Sequence, residues 1–184
     1  MAAVAFDSTY LMLLLDPLVK AGATEHPRVV HLFKTLDKAK TTIIIPTPAL
    51  SELLIGAEDA APQYLAIINK SARFRVAPFG ERAAVEAADG HRRAIAAGDK
   101  KEGAPSWAKI KHDRQIYAIS RVEGATCIYS NDEDVEKLAK KDGMRVVKLN
   151  DLPDPPPPKD ADQGTMFSLL DPQPSAPTSG EREP

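Results

Sequence analysis

Short apolar runs alternate with helical patterns through residues 1–150, and this alternation restricts the fold more than any other feature of the sequence. Most of the runs are continuously apolar, as expected of strands that are buried on both faces of a sheet. These predicted strands are residues 3–6, 42–46, 73–77, 126–129 and 144–149. Strands that alternate with helices form a mostly parallel sheet with helices on both faces. We therefore predict an α/β fold, a three-layer α/β/α sandwich around a central sheet.

Helical patterns fill the intervals between the predicted strands. Thr47 before Pro48 and Ser106 at the start of an apolar pattern are typical helix starts. Gly143 is a typical residue after a helix end. The predicted helices cover residues 8–15, 26–39, 48–56, 60–70, 80–97, 106–122 and 132–141.

The composition changes after residue 150, where nine of the sixteen prolines lie. The run DLPDPPPPKD begins at Asp151 and cannot form a helix or the interior of a sheet. Most of the chain beyond this run has the composition of a disordered segment. We predict a domain at residues 1–150 and a flexible, Pro-rich tail at residues 151–184. The apolar residues 166–170 of the tail are either a docking segment or a clasp that folds back on the domain.

Several classes of protein are excluded by the remaining composition. The single cysteine, Cys127, cannot form an internal disulfide, and we interpret it as a buried hydrophobic residue. The N-terminal apolar stretch is interrupted by Asp7 and is shorter than the ~20 residues of a membrane span. Residues 151–184 hold seven acidic and two basic side chains, so residues 1–150 are mildly basic. We expect a cytoplasmic protein without membrane association, whose basic domain suits a polyanionic partner.

Acidic side chains follow the predicted strands at the point where each strand ends. Asp7 directly follows the first strand, and Asp132 follows the fourth strand after two residues. Glu52 lies in the first turns of the helix after the second strand. Functional groups collect at the carboxyl ends of the strands in a parallel sheet. We therefore expect these three carboxylates at one edge of the sheet.

A fourth carboxylate, Asp113, lies in the first half of the helix predicted at residues 106–122. This helix must run antiparallel to the strand after it, so its first half lies near the same edge. Asp113 lies on or beside the apolar stripe that contains Ile110 and Tyr117, where an unpaired charge is costly. Carboxylates gathered in this way must take up protons or be neutralised. The sequence therefore predicts a site for Mg²⁺ or Mn²⁺, which prefer oxygen ligands.

Each of these acids also has a purely structural interpretation. Asp7 and Asp132 can cap the helices that begin after them. Glu52 can be a solvated helix residue. Asp113 can form a salt bridge with Lys109, which lies one helical turn earlier. The residues considered singly leave both interpretations open.

Four segments of the sequence resemble the acidic motifs of PIN-domain nucleases, and most closely those of VapC-type toxin ribonucleases. The segments are VAFDSTYLMLL (4–14), TPALSELLIGA (47–57), KHDRQIYAISRVEGAT (111–126) and IYSNDEDVEKLA (128–139). The positions that match the family's catalytic and metal-binding acids are Asp7, Glu52, Asp113 and Asp132, with Asp134 as a further, weaker metal ligand. Ser8 and Ser130 match hydroxyl positions that support the acids.

The resemblance implies an endoribonuclease that cleaves RNA with Mg²⁺ or Mn²⁺ and acts as the toxin of a toxin–antitoxin pair. Metal chemistry at the phosphate makes a protein nucleophile unnecessary. We expect a homodimer and a cognate antitoxin as protein partners. The basic residues expected to bind RNA, rather than simply to be solvated, are Arg92, Arg93, Lys109, Lys111 and Arg114.

The main alternative is a non-catalytic, PIN-like RNA-binding or scaffold module that recruits partners through its tail. A dinucleotide-binding enzyme would need a Gly-rich turn after the first strand, where this chain has DSTY. A phosphate-accepting receiver domain would share the clustered acids but would not explain Glu52 or Asp113. The complete set of acids favours the nuclease.

Overall fold

The computed structural model describes residues 2–98 and 106–156. In these residues one parallel sheet is formed by the strands β1 (Ala3–Phe6), β2 (Thr42–Pro46), β3 (Phe74–Ala77), β4 (Cys127–Tyr129) and β5 (Arg145–Val147). The strand order is β3-β2-β1-β4-β5, so the first strand lies at the centre of the sheet. Ala5 is paired with Ile44 of β2 on one side and with Ile128 of β4 on the other. The predicted α/β fold with a central parallel sheet is confirmed.

Helices connect the strands and cover both faces of the sheet. In the described ranges they are α1 (Ser8–Leu15), α2 (Pro17–Gly22), α3 (His26–Lys38), α4 (Thr47–Ala57), α5 (Ala61–Lys70), α6 (Glu81–Ala96), α7 (Trp107–Val122) and α8 (Glu133–Lys141). The sequence does not predict α2, a six-residue helix that begins with Pro17, a residue suited to the first turn. Every other helix begins and ends within one residue of its prediction.

Two hydrophobic cores lie on opposite faces of the sheet, as the side-chain alternation of β1 requires. Val4 and Phe6 point into the first core, which contains buried residues of α1, α3, α4 and α5. Ala5 points into the second core, which contains buried residues of α6, α7 and α8. Continuously apolar strands are therefore explained by burial on both faces, which makes the molecule a three-layer sandwich.

The packing of the domain continues beyond residue 150. Leu152 is buried in the first core, and Arg28 forms a 2.7 Å ion pair with Asp154. Cys127 is also buried in this core. The predictions for residues 157–184, including the apolar residues 166–170, lie outside the described residues. None of the helices in the described part of the chain combines the length and apolar character that a membrane crossing needs.

Candidate metal centre

From β1 the chain adds β2 and β3 on one side of the sheet and then adds β4 and β5 on the other side, so β1 and β4 flank the point where the direction of addition changes. Ligands of open parallel sheets bind at such a point, beyond the carboxyl ends of the strands. Asp7 lies there, and its backbone N–H donates to the Tyr129 carbonyl at 3.1 Å. The buried Asp7 side chain accepts a 3.1 Å hydrogen bond from the Tyr10 N–H and caps α1. Asp7 thus has the capping role that the sequence allowed, and it also lies at the predicted edge.

Burial raises the pKa of Asp7 to about 6. Hydrogen bonds from the Ser130 side chain and from the backbone N–H groups of Tyr10 and Asn131 act in the opposite direction, and the charge of Asp132 adds to the increase. The ionised form of this carboxyl is therefore less favourable in the folded protein than in water. A bound cation would stabilise that form.

Helix α7 supplies a carboxylate and an ammonium group one turn apart. The Ser106 side chain caps the helix by accepting a 3.1 Å hydrogen bond from the Lys109 N–H. Lys109 Nζ lies 2.9 Å from Oδ2 of the buried Asp113. The same Nζ lies 2.8 Å from Asp132 Oδ2 and 2.9 Å from Asp134 Oδ2. The salt bridge that the sequence allowed is present, and it extends to two further carboxylates.

Asp132 and Asp134 come from the connection between β4 and α8. Asp132 caps α8, because its Oδ1 accepts a 2.7 Å hydrogen bond from the Asp134 N–H. The Asp132 N–H donates to the buried Ser130 hydroxyl oxygen at 3.1 Å. Because Ser130 also hydrogen-bonds to Asp7, this hydroxyl links the two acids that follow β1 and β4.

One carboxylate oxygen from each of Asp113, Asp132 and Asp134 can be chosen so that the three lie within 4.8 Å of one another. An all-oxygen donor set of this kind fits Mg²⁺ or Mn²⁺. Asp134, the weaker candidate in the sequence, is a member of this trio. Burial raises the pKa of Asp113, whereas hydrogen bonding with Lys109 lowers the pKa of Asp134. Burial alone would lower the pKa of Lys109, but its hydrogen bonds to the three carboxylates raise it above its usual value.

Glu52 lies beside the trio and is joined to it through a histidine. Ser8 Oγ donates a 2.6 Å hydrogen bond to Glu52 Oε2. His112 Nε2 lies 3.5 Å from Glu52 Oε1, and His112 Nδ1 lies 4.0 Å from Asp113 Oδ1. Sequence reasoning missed His112, because residues next to each other in a helix usually face different directions and His112 directly precedes Asp113. The approach of α4 brings Glu52 to it, and no local signal in the sequence reveals that approach.

Two of the predicted RNA-binding arginines, Arg92 and Arg93, lie on α6. Arg92 is exposed and pairs with Asp89. Arg93 Nη1 lies 2.9 Å from Asp142 Oδ1, within a set of ion pairs that also includes Glu86. These arginines therefore neutralise acids on the outer surface of the helices that cover the second core.

The other predicted RNA-binding residues lie on α7. Lys111 is exposed, and its Nζ lies 5.7 Å from the centre of the Trp107 ring. Arg114 is buried and contacts His91, so its guanidinium is not presented to solvent. Among these cations, Lys109 is the residue whose ammonium touches the acidic trio.

A cavity of about 240 Å³ lies between α6, α7 and α8, away from the acidic trio. Its walls include Gly90, Ala94 and Leu138. Asp142, which also lines it, accepts a 2.8 Å hydrogen bond from the Tyr117 hydroxyl. The cavity is therefore a feature of helix packing, and the chemistry predicted from the sequence lies at the sheet edge.

A family model described as PIN domain matches residues 18–141, more than half of the chain. Among solved structures, VapBC2 from Rickettsia felis bound to a promoter DNA fragment has a TM-score of 0.54 and 12% identity, and the match covers 79% of this chain and 98% of that chain. DNA-bound VapBC from Salmonella typhimurium has a TM-score of 0.53 and 17% identity, with 81% and 99% covered. At these identities the likeness concerns the fold. No curated protein sequence gave a significant match.

Proposed function

Because this chain belongs to the PIN-domain family, we propose that it is a Mg²⁺- or Mn²⁺-dependent endoribonuclease that hydrolyses RNA phosphodiester bonds. The observation that carries the proposal is the convergence of Asp113, Asp132 and Asp134 on one point. Three carboxylates this close repel one another, so their grouping costs stability. The pKa of Asp113 is raised by burial and that of Asp134 is lowered by Lys109, and perturbed pKa values in such groupings are typical of functional sites.

Asp113, Asp132 and Asp134 would hold the metal, with Asp7 and Glu52 beside them. A divalent cation bound there would supply Lewis-acid chemistry, which polarises the scissile phosphate and lowers the pKa of a bound water molecule. Asp7, buried and joined to Asp132 through Ser130, would add negative charge at the closed end of the site.

Ser8 and Ser130 would act by orienting the acids. The Ser8 hydroxyl fixes one oxygen of Glu52, which is the more exposed of the predicted catalytic carboxylates. His112 faces the other oxygen of Glu52 and would hold it near Asp113. Glu52 is therefore suited to bind a water molecule at the open side of the site.

RNA would approach across α7. Lys111 is exposed on that helix next to Trp107, and an ammonium group beside an aromatic ring suits contact with a phosphate and a base. Arg92 and Arg93 on α6 would contact RNA only by exchanging their acidic partners for phosphates. Arg114 would act indirectly, because its buried side chain supports α6 through His91.

We further propose that the nuclease is the toxin of a toxin–antitoxin pair, with a cognate antitoxin as partner and a homodimer as its assembly. Two observations support this role. The four acidic segments resemble those of VapC-type toxins, and the two similar structures were determined as VapBC. The partnership with an antitoxin can be tested by searching the neighbouring genes for a small antitoxin-like reading frame and co-expressing its product with this chain.

Cleavage of labelled RNA tests the activity. Purified protein is incubated with end-labelled single-stranded RNA, or with DNA of the same sequence, in Mg²⁺, Mn²⁺ or excess EDTA. We expect cleavage of RNA in either metal and none in EDTA. Asp132→Asn should abolish cleavage, whereas Asp59→Asn, which changes an exposed acid on another part of the surface, should leave it intact. Full cleavage in EDTA, or normal cleavage by Asp132→Asn, would refute the proposal.

A gel-shift assay with the same labelled RNA, run beside the cleavage assay, addresses the alternative of a non-catalytic RNA-binding or scaffold module. Such a module would retain labelled RNA in a gel-shift assay but would leave it uncut in every metal. It would also tolerate Asp132→Asn without loss of RNA binding. The grouping of three carboxylates favours the nuclease. A module that only binds a polyanion gains nothing from placing three negative charges together at its binding surface.

A further inference from the structure

The Lys109 ammonium lies among the three carboxylates that would hold a metal ion. Its Nζ lies within 2.9 Å of one oxygen of each of Asp113, Asp132 and Asp134. Hydrogen bonds between charged groups at these distances are the strong class of such interactions. The three acids are thus neutralised in part by a cation that belongs to the chain itself.

The position of Lys109 is unusual among the lysines near this site. Lys137 contacts Asp134 alone, through the other carboxylate oxygen, at 3.0 Å. Lys137 also lies on the solvent side, with half of its side chain exposed. Lys109 is less exposed and reaches all three acids. It therefore lies inside the cluster, whereas Lys137 lies on its rim.

A divalent cation and the Lys109 ammonium would compete for these three carboxylates. Both would bind the carboxylates of Asp113, Asp132 and Asp134, and two positive charges a few ångströms apart repel each other strongly in a partly buried site. Lys109 is also fixed to the helix that carries Asp113, so its effective concentration at the site is high without any binding from solution. Its side chain is one-third exposed, which leaves it a path to solvent.

We propose that Lys109 is a tethered internal cation that fills the carboxylate trio in the metal-free protein and must leave when a divalent metal binds. Lys109 thereby sets the metal concentration at which the site fills. This inference rests on the proposed function, since it concerns the metal of that same site. It assigns Lys109 the role of a competitor, in place of a simple surface contact for RNA.

Metal titration of matched variants tests the competition. Mn²⁺ binding to the wild type, Lys109→Met and Lys140→Met is measured by calorimetry after removal of bound metal. Lys140→Met removes the same charge from an exposed residue that pairs only with Glu136 among the contacts described, and it controls for net charge. We expect Lys109→Met to bind Mn²⁺ about tenfold more tightly than the wild type, and Lys140→Met to bind like the wild type.

A second measurement uses the wild-type protein and does not depend on the folding of a variant. Acetylation of lysines by an amine-reactive ester is followed by mass spectrometry, with and without Mg²⁺. We expect Lys109 to react slowly in the metal-free protein and several-fold faster at saturating Mg²⁺, because its ammonium is released. The exposed Lys140 should react equally in both conditions.

The outcomes separate this inference from the proposed function. Equal or weaker Mn²⁺ binding by Lys109→Met, or unchanged Lys109 acetylation at saturating Mg²⁺, would overturn the competition and leave the metal site standing. If neither protein binds Mn²⁺, both the competition and the proposed metal-dependent activity are overturned. If Lys140→Met binds Mn²⁺ as tightly as Lys109→Met does, the change in net charge alone explains the gain in affinity, and the inference is overturned.

Discussion

Ser8 Oγ donates a 2.6 Å hydrogen bond to Glu52 Oε2 and joins the start of α1 to α4. The two residues are 44 positions apart, and parallel pairing of β1 with β2 brings them together. Glu52 is only half-buried, so this bond restricts a side chain that would otherwise sample many rotamers. The carboxylate is thereby held on the side of the site where His112 approaches it.

Removal of this hydroxyl should therefore affect activity more than stability. For Ser8→Ala we expect a loss of about 1 kcal/mol in the free energy of unfolding, the usual contribution of one hydrogen bond. We expect cleavage of RNA to fall about tenfold, because Glu52 is no longer oriented. Urea unfolding and cleavage rates are the measurements. Ser51→Ala, which removes an exposed hydroxyl next to Glu52, is the control and should change neither. Normal cleavage by Ser8→Ala would show that this bond has no role in orienting Glu52.

Asp113→Asn should stabilise the metal-free protein and weaken its response to metal. Burial raises the pKa of Asp113 despite the salt bridge to Lys109, so the folded protein favours the neutral form of this side chain more than the unfolded chain does. Asn mimics that neutral form at every pH. The melting temperature without metal should therefore rise at pH 8, where the wild-type carboxyl is ionised, and the increase caused by Mn²⁺ should shrink. Thermal melts of both proteins with and without Mn²⁺ measure this.

The opposite result for Asp113→Asn has a definite meaning. If the salt bridge with Lys109 outweighs the cost of burial, the variant will melt at a lower temperature than the wild type. A destabilised variant with a normal response to Mn²⁺ and normal cleavage would exclude Asp113 from the metal site.

Truncation should distinguish the end of the packed domain from the predicted boundary at residue 150. A chain ending at Asn150 lacks Leu152, which is buried in the first core, and the Arg28–Asp154 ion pair. We expect it to lose about 2 kcal/mol of stability, the value of burying one leucine side chain. A chain ending at Pro156 keeps both contacts and should unfold like the full-length protein. Equal stability of the two truncated chains in urea would show that Leu152 contributes nothing.

The elements of the fold could be predicted because each is encoded locally. Ile43, Ile44 and Ile45 form a continuous apolar run, and they are completely buried because alternate side chains enter the two cores. The Ser106 cap and the apolar stripe of α7 likewise lie within a few residues of each other. The helix Pro17–Gly22 was not predicted, because six residues are too few to show the spacing of apolar residues that indicates a helix.

The site was only partly predictable, because its contacts join distant elements. Asp132 and Asp113 follow from strand ends and helix direction, which the sequence reveals. The entry of Lys109 into the trio depends on how α7 is rotated against β4, and a pattern of apolar residues does not fix a lysine rotamer. His112 faces Glu52 for the same reason. Long-range packing of this kind has no signature within one segment.

Asp7 should make the stability of the metal-free protein depend on pH in the acid range. Its pKa is about 6 in the folded protein and near 3.8 in the unfolded chain, because burial disfavours the charged form. The folded protein therefore holds a proton that the unfolded chain releases between these two values. The contribution of protonated Asp7 to the free energy of unfolding is fully present below pH 3.8 and is lost as the pH rises through 6. The loss amounts to about 3 kcal/mol, since one pKa unit corresponds to about 1.4 kcal/mol.

Asp7→Asn isolates this effect, because Asn is as good a helix cap as Asp and keeps the hydrogen bond from the Tyr10 N–H. The variant cannot ionise, so it should lack the loss of stability between pH 4 and pH 6 that we expect of the wild type. At pH 7.5 the metal-free variant should be more stable by about 2–3 kcal/mol, and below pH 4 the two proteins should have the same stability. Urea unfolding across this pH range, in the presence of a chelator, measures the difference. Asp7→Ala should gain less at pH 7.5, because it also loses the cap, at a cost of about 1 kcal/mol. A constant difference between Asp7→Asn and the wild type at every pH would mean that the pKa of Asp7 is the same in the folded and unfolded protein, and that burial does not control its charge.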